Sequence, residues 1–200
     1  MPGFGSKYAR FWTWFQEHEG EIFRFEENRE SVFGALVAQL RRVDPDLVFE
    51  FSSVCDDRRE FIVSAGGIRR AFPGVTALVQ EAPPLSRWRI IAFRQRQDVP
   101  KIRCGDKELD RDAVLFDYVR EGHKIGLTVF IPGIGDASKE EIVGLKTIGY
   151  LLLDAVVGEY DVETKIGRIE FVDAAQFPER RRIPLRELAE IVDGLPKTVQ

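Results

Sequence analysis

The sequence predicts an α+β fold, a mostly antiparallel sheet with helices packed on it. Three observations carry this. Apolar residues recur at helical spacing in three long segments; apolar alternation of period two occurs in pairs joined by turn residues; and hairpins outnumber strand-helix-strand alternations. The order hairpin, helix, strand occurs twice, which also suggests two similar halves, residues 1–98 and 99–200, although no residue-level repeat accompanies it.

Ser6 is a suitable cap for a first helix in which Tyr8, Phe11, Trp12 and Phe15 share one face. Trp14 lies off that stripe, because residues two apart point about 200° from each other around a helix. A second helix starts at Asn28, with Val32, Phe33, Leu36, Val37 and Leu40 apolar on one side. Asp44 and Pro45 end it, since the residue before proline is pushed out of helical geometry.

The period then changes to two. "LVFEF" and "REFIVSA" read as two strands joined through the polar "SVCDDR", and Gly66 and Gly67 punctuate the end. A short helix over residues 68–80 tolerates Pro73 only near its first turn and stops at "APPL". The strand near 87–95 follows. In "KIRCGDKEL", Gly105 and Asp106 suit a two-residue turn. A stronger hairpin runs from Val114 to Ile131 and turns at "EGHK".

"SKEE" at 138–141 is a capping box, Ser138 with Glu141 three residues later. It opens a helix whose stripe runs through Ile142, Leu145, Ile148, Leu152, Ala155 and Val156 to a terminal Gly158. A strand "KIGRIEFV" and a last helix starting at Pro184 complete the chain.

Two hundred residues with 44% hydrophobic and 31% charged side chains are those of an ordinary globular protein, for which one domain over 1–200 is the default. The opening residues are charged and amphipathic, unlike a secretory signal, and the longest apolar stretch is broken by Asp154. Cys55 and Cys104 have neither metal-ligand spacing nor a disulfide framework, so a reducing cytoplasm is the expected location. Net charge is −4, yet residues 58–103 carry ten basic against three acidic side chains.

That basic middle contains "SRWRIIAFRQRQ". A single-strand nucleic-acid platform needs aromatic faces and cations on the same wet side of a sheet. Alternation instead places Arg87, Arg89, Ile91 and Phe93 on one face and Trp88, Ile90, Ala92, Arg94 and Arg96 on the other. The apolar centre "IIAF" reads as a central strand covered on both faces, with arginines at its ends. The acidic overall pI further disfavours nucleic acid.

The remaining signals are isolated. His123 in the turn is titratable but has no nucleophile motif beside it. His18 and Glu21 share a helical face without completing a metal coordination set. "PGIGDASK" lacks the glycine spacing and Gly-Lys-Ser/Thr ending of a phosphate-binding loop, and reads as a connection with a good cap. Glu159, Asp161 and Glu163 follow the long helix and form the best candidate for acid-base chemistry, since paired carboxylates work when their surroundings separate their pKa values.

The run from "FWTWF" through "REFIVSAGGI" to "RWRIIAF" resembles a group of uncharacterised bacterial proteins of unknown function. The resemblance covers about the first half of the chain, implies a bacterial cytoplasmic protein and transfers no activity. The sequence is therefore read first as a non-enzymatic binding or adaptor protein without cofactor or metal, whose partner is another protein or a second copy of itself. Trp14, Arg87, Arg89, Arg94 and Arg96 are its candidate contact residues. A hydrolase using Glu159, Asp161 and Glu163, with help from His123, and a weak nucleic-acid binder through the basic middle are the alternatives.

Overall fold

The computed structural model describes residues 5–196. It has the α+β architecture expected, with helices packed on sheets of mostly antiparallel strands. The chain divides between Arg94 and Gln95 into two compact units, each with its own apolar core.

In the N-terminal unit, α1 (Lys7–Glu17) is capped by Ser6, whose hydroxyl accepts from the Ala9 amide at 3.0 Å. A short helix α2 (Glu19–Phe23) and a 3-10 turn (Phe25–Asn28) lead into α3 (Arg29–Val43). The strands β1 (Val48–Phe51) and β2 (Arg59–Ser64) form the expected hairpin, Phe49 opposite Val63 and Phe51 opposite Phe61. Helix α4 (Phe72–Gln80) begins after a 3-10 turn with Pro73 in its first turn, where a missing amide costs nothing. The strand β3 (Trp88–Ala92) then pairs parallel to β2.

The sheet order is β1-β2-β3, so β2 is central and β3 lies at an edge. This corrects the reading of residues 90–93 as a central strand covered on both faces. The hairpin already places β1 beside β2, and a crossover through α4 can only add its strand on the other side of β2. Ile90, Ile91 and Ala92 are half-buried, while Phe93 departs from the strand with φ of 62°. Its amide still donates to the Val63 carbonyl at 2.8 Å, and its buried ring lies 4.5 Å from that of Phe72.

Phe61 on β2 is fully buried, and the rings of Phe11, Trp12, Phe15, Phe49, Phe51 and Trp88 all lie with centroids 5.3–6.5 Å from its own. The pairs include stacked, tilted and edge-to-face arrangements, and such ring pairs contribute beyond their buried area. The two buried indole N–H groups are satisfied, Trp12 donating to the Leu78 carbonyl and Trp88 to Glu19, each at 2.8 Å.

The C-terminal unit begins with a small hairpin, β4 (Lys101–Cys104) and β5 (Lys107–Asp110), turning at Gly105 and Asp106. The larger hairpin, β6 (Leu115–Glu121) and β7 (Lys124–Phe130), turns at Gly122 and His123. Helix α5 (Lys139–Val157) and a short α6 (Glu159–Lys165) lead to β8 (Ile166–Val172), which pairs parallel to β7. A two-residue strand β9 (Ile183–Pro184) pairs with β6, and α7 (Leu188–Asp193) follows a 3-10 turn. The last helix thus starts later than Pro184, whose residue extends the sheet instead. The order is β8-β7-β6-β9, over a core that includes Phe116, Leu127, Ile148, Leu152 and Leu188. Both units therefore contain a hairpin, a helical crossover and a strand parallel to the second hairpin strand.

The capping box forms as its spacing requires. Ser138 accepts from the Glu141 amide at 3.3 Å, and Glu141 accepts from the Ser138 amide at 2.9 Å. Lys107 on β5 also reaches the Glu141 carboxylate at 2.5 Å. Gly158 terminates α5 with φ of 90°, a conformation that favours glycine. Among the described residues no helix is long and apolar enough to cross a membrane.

Two outcomes follow from this packing. Phe61→Ala should destabilise the N-terminal unit by about 3–5 kcal/mol, the usual range for a truncated core phenylalanine. All three tryptophans, 12, 14 and 88, belong to that unit, so urea unfolding followed by tryptophan fluorescence reads it directly; a loss below about 1 kcal/mol would contradict the central place given to this ring. The second concerns pH. The Lys107 ammonium, then the Ser138 cap, pull the Glu141 carboxyl from its ordinary 4.5 down to about 2. A depressed carboxyl stabilises the fold above its unfolded value, and that contribution disappears as pH falls from about 4.5 to about 2. Glu141→Gln should be less stable than wild type at neutral pH, and the gap should close by about pH 2 in unfolding monitored by circular dichroism.

Candidate functional site

Four arginines of the basic middle, Arg87, Arg89, Arg94 and Arg96, are each engaged by carboxylates of their own unit. Arg87 lies 3.5 Å from Asp57, Arg89 3.1 Å from Glu60 and Arg94 2.5 Å from Glu50. The Arg89 pair follows from strand register, since Glu60 stands opposite Arg89 between β2 and β3. Arg96 belongs to the C-terminal unit and binds Asp193 and Asp161 at 2.7 and 3.1 Å, while its Nε donates to the Val157 carbonyl at 2.7 Å. Asp193 is foremost among the causes that raise the Arg96 pKa above its usual value. A phosphate contacting these groups would compete with a carboxylate already in place.

Asp161 is therefore held by Arg96 on one side and by Lys165 at 3.0 Å on the other. Glu159 is fully buried in the first turn of α6, whereas Asp161 is half-buried. The three acidic candidates lie on a helix rather than on the expected extension beyond one, and residues two apart on a helix face about 200° from each other. Glu159 and Glu163, four apart, lie on one side of α6, and Asp161 faces away from both. His123 sits half-way through the β6–β7 turn and is exposed. Among the described residues no group of three or more His, Cys, Asp or Glu side chains could hold a metal ion.

Arg59, which the sequence did not single out, is buried on β2. Its Nη2 reaches Glu26 at 2.6 Å, and its guanidinium lies 4.4 Å from the Phe25 ring centroid. Its Nε and Nη1 meet no hydrogen-bond acceptor, so the aromatic face is the counterpart of that part of the cation. Arg87 is stacked 3.4 Å from the Phe23 centroid. The Arg59 Nε and Nη1 and the Arg87 Nε are closed to solvent, which makes these contacts structural. Arg59→Met, which keeps the volume and removes a partly compensated buried charge, should leave stability unchanged or raise it. A loss above about 2 kcal/mol by tryptophan fluorescence would show that the guanidinium itself holds the turn at 25–28.

A partly apolar cavity surrounds Trp14, and a larger, more open recess of about 240 Å³ in the C-terminal unit is lined by the paired Arg96 and Arg111. Helix α1 ends at His18, whose Nδ1 lies 2.8 Å from the Trp14 carbonyl and whose ring stacks on the Trp14 indole with centroids 4.9 Å apart. Helix α2 contributes Ile22 to the lining, and α3 contributes Val32 and Ala35. Together they enclose a cavity of about 140 Å³. Its rim carries Glu21, Arg24 and Glu27. Arg24 and Glu27 pair at 3.5 Å, whereas the Glu21 carboxylate has no such partner among the described residues. Trp14 is half-buried, so the ring left off the α1 stripe becomes a wall of this groove. The groove was missed because its members come from three helical segments, one of which, α2, has no clear periodicity.

Compared with protein-family models, with curated proteins and with solved structures, the chain matches none.

Proposed function

We propose that this chain is a non-enzymatic protein-binding module that docks a partner through the Trp14 groove of its N-terminal unit. The observation carrying this reading is the size and lining of the cavity. Sites for small-molecule substrates and cofactors usually enclose about 300–1,000 Å³. A cavity of 140 Å³ is near the ~150 Å³ that holds one benzene-sized group. Such a site suits a single side chain projecting from a larger partner. An indole wall beside aliphatic residues is also the composition of interface anchor points.

The engagement of Arg87, Arg89, Arg94 and Arg96 by carboxylates supports the same preference over nucleic acid, because phosphate binding draws its strength from unpaired protein cations that displace the counterions condensed on the nucleic acid. The paired state of Asp161 likewise favours a binding role over hydrolysis.

The test places a photo-crosslinking amino acid at Ser31, on the exposed side of the groove, in the full chain inside cells. One discrete crosslinked species is expected, lost when Trp14→Ala is added and retained when Val143→Ala, an exposed position of the C-terminal unit, is added instead. A crosslink that ignores Trp14, or none, overturns the reading.

A further inference from the structure

The groove has a polarity that its size alone does not reveal. Between residues 17 and 30 the chain places six glutamates against two arginines, and this segment forms the cavity's polar side. Two of those glutamates are already occupied, Glu19 by the Trp88 indole N–H and Glu26 by Arg59. Glu27 shares its charge with Arg24. The Glu21 carboxylate, at the cavity rim on the first turn of α2, remains exposed with no cation beside it among the described residues. The buried Ile22 and the half-buried Trp14 and Val32 line the same cavity.

We infer that the groove receives a lysine or arginine side chain of the partner protein, its methylene stem against Trp14, Ile22 and Val32 and its cationic head at Glu21. This rests on the reading of the groove as a docking site and names what docks. Long basic side chains are amphipathic in the required sense, with an apolar stem and a charged tip that stays near water. An indole face attracts a cation within about 6 Å of its centroid, more strongly than other aromatic rings. A carboxylate or phosphate in the same place would face Glu21 and Glu27 with a single cation, Arg24, already paired. A purely aliphatic side chain would fill the cavity but leave Glu21 without a counterpart.

The three indole N–H groups provide the readout. Those of Trp12 and Trp88 are hydrogen-bonded in the core, whereas that of Trp14 has no acceptor among the described residues, and Trp14→Phe identifies its signal. The full chain, labelled with ¹⁵N, is titrated with three blocked tripeptides, Gly-Arg-Gly, Gly-citrulline-Gly and Gly-Leu-Gly. They are taken to about 10 mM, at which a ligand of millimolar Kd is largely bound. The arginine peptide is expected to shift the Trp14 signal saturably and to bind several-fold more tightly than the citrulline peptide, which has nearly the same shape without the charge. Glu21→Gln should weaken the arginine peptide roughly two- to fivefold, the range of an exposed ion pair, and leave the citrulline peptide unchanged.

Equal responses to arginine and citrulline, or a preference for leucine, would overturn the basic anchor while leaving the groove a docking site. No Trp14 response to any peptide would also overturn it. In that case a Trp14-dependent crosslink at Ser31 would show a protein partner held by other chemistry, and its absence would remove both readings. The Glu21 substitution lies on an exposed position, so the outcome does not depend on a core change that threatens folding.

Discussion

A strand that runs parallel to its predecessor cannot be reached by a tight turn; the chain must cross the sheet, and it usually does so as a helix. Both sheets contain such a pair, β2 with β3 and β7 with β8. The crossover binds each unit together, because the helix that returns the chain must bury an apolar side. Val75 and Leu78 of α4 are fully buried in one core, and Ile148 and Leu152 of α5 in the other. The hairpins supply the first two strands, and the parallel addition decides which strand becomes central.

In the N-terminal unit that strand is β2, and its consequences reach the surface. Phe61 has rings from α1, β1 and β3 around it because β2 has neighbours on both sides. Packing α1 this way commits Phe11, Trp12 and Phe15 to the core. Helical geometry then turns Trp14 away, toward α2 and α3, where it walls a cavity rather than filling one. The groove thus descends from the core: it exists because the same helix carries two indoles that cannot face the same way.

Electrostatics divides along similar lines. The basic excess of residues 58–103 looks like a surface for an acidic partner in one dimension, but strand pairing and loop closure bring Glu60, Glu50 and Asp57 to its arginines. At the groove, the Glu21 carboxylate has no ion-pair partner among the described residues. Exposed pairs of this kind contribute little stability individually. On the proposed reading they bear on recognition, since they hold Arg87, Arg89 and Arg94 against carboxylates of the same unit.

Much of this protein was determined locally and was legible in the residues. The Ser6 cap, the Ser138–Glu141 capping box, the Gly105–Asp106 and Gly122–His123 turns and the alternation around Phe61 and Leu127 are short-range features whose geometry depends on neighbours a few positions away. So was the α+β class, because hairpins and helical stripes are written in period. Strand order was not. "IIAF" is apolar enough for either a central or an edge strand, and only the tertiary structure placed it at an edge by spending the central position on β2. Nor did sequence show that Asp161 belongs to Arg96, 65 residues away, or that Trp14, Glu21 and Val32 share a groove. Those relations join segments that are distant or irregular in the chain, and no periodicity records them, because they arise only when separate helices pack against one another.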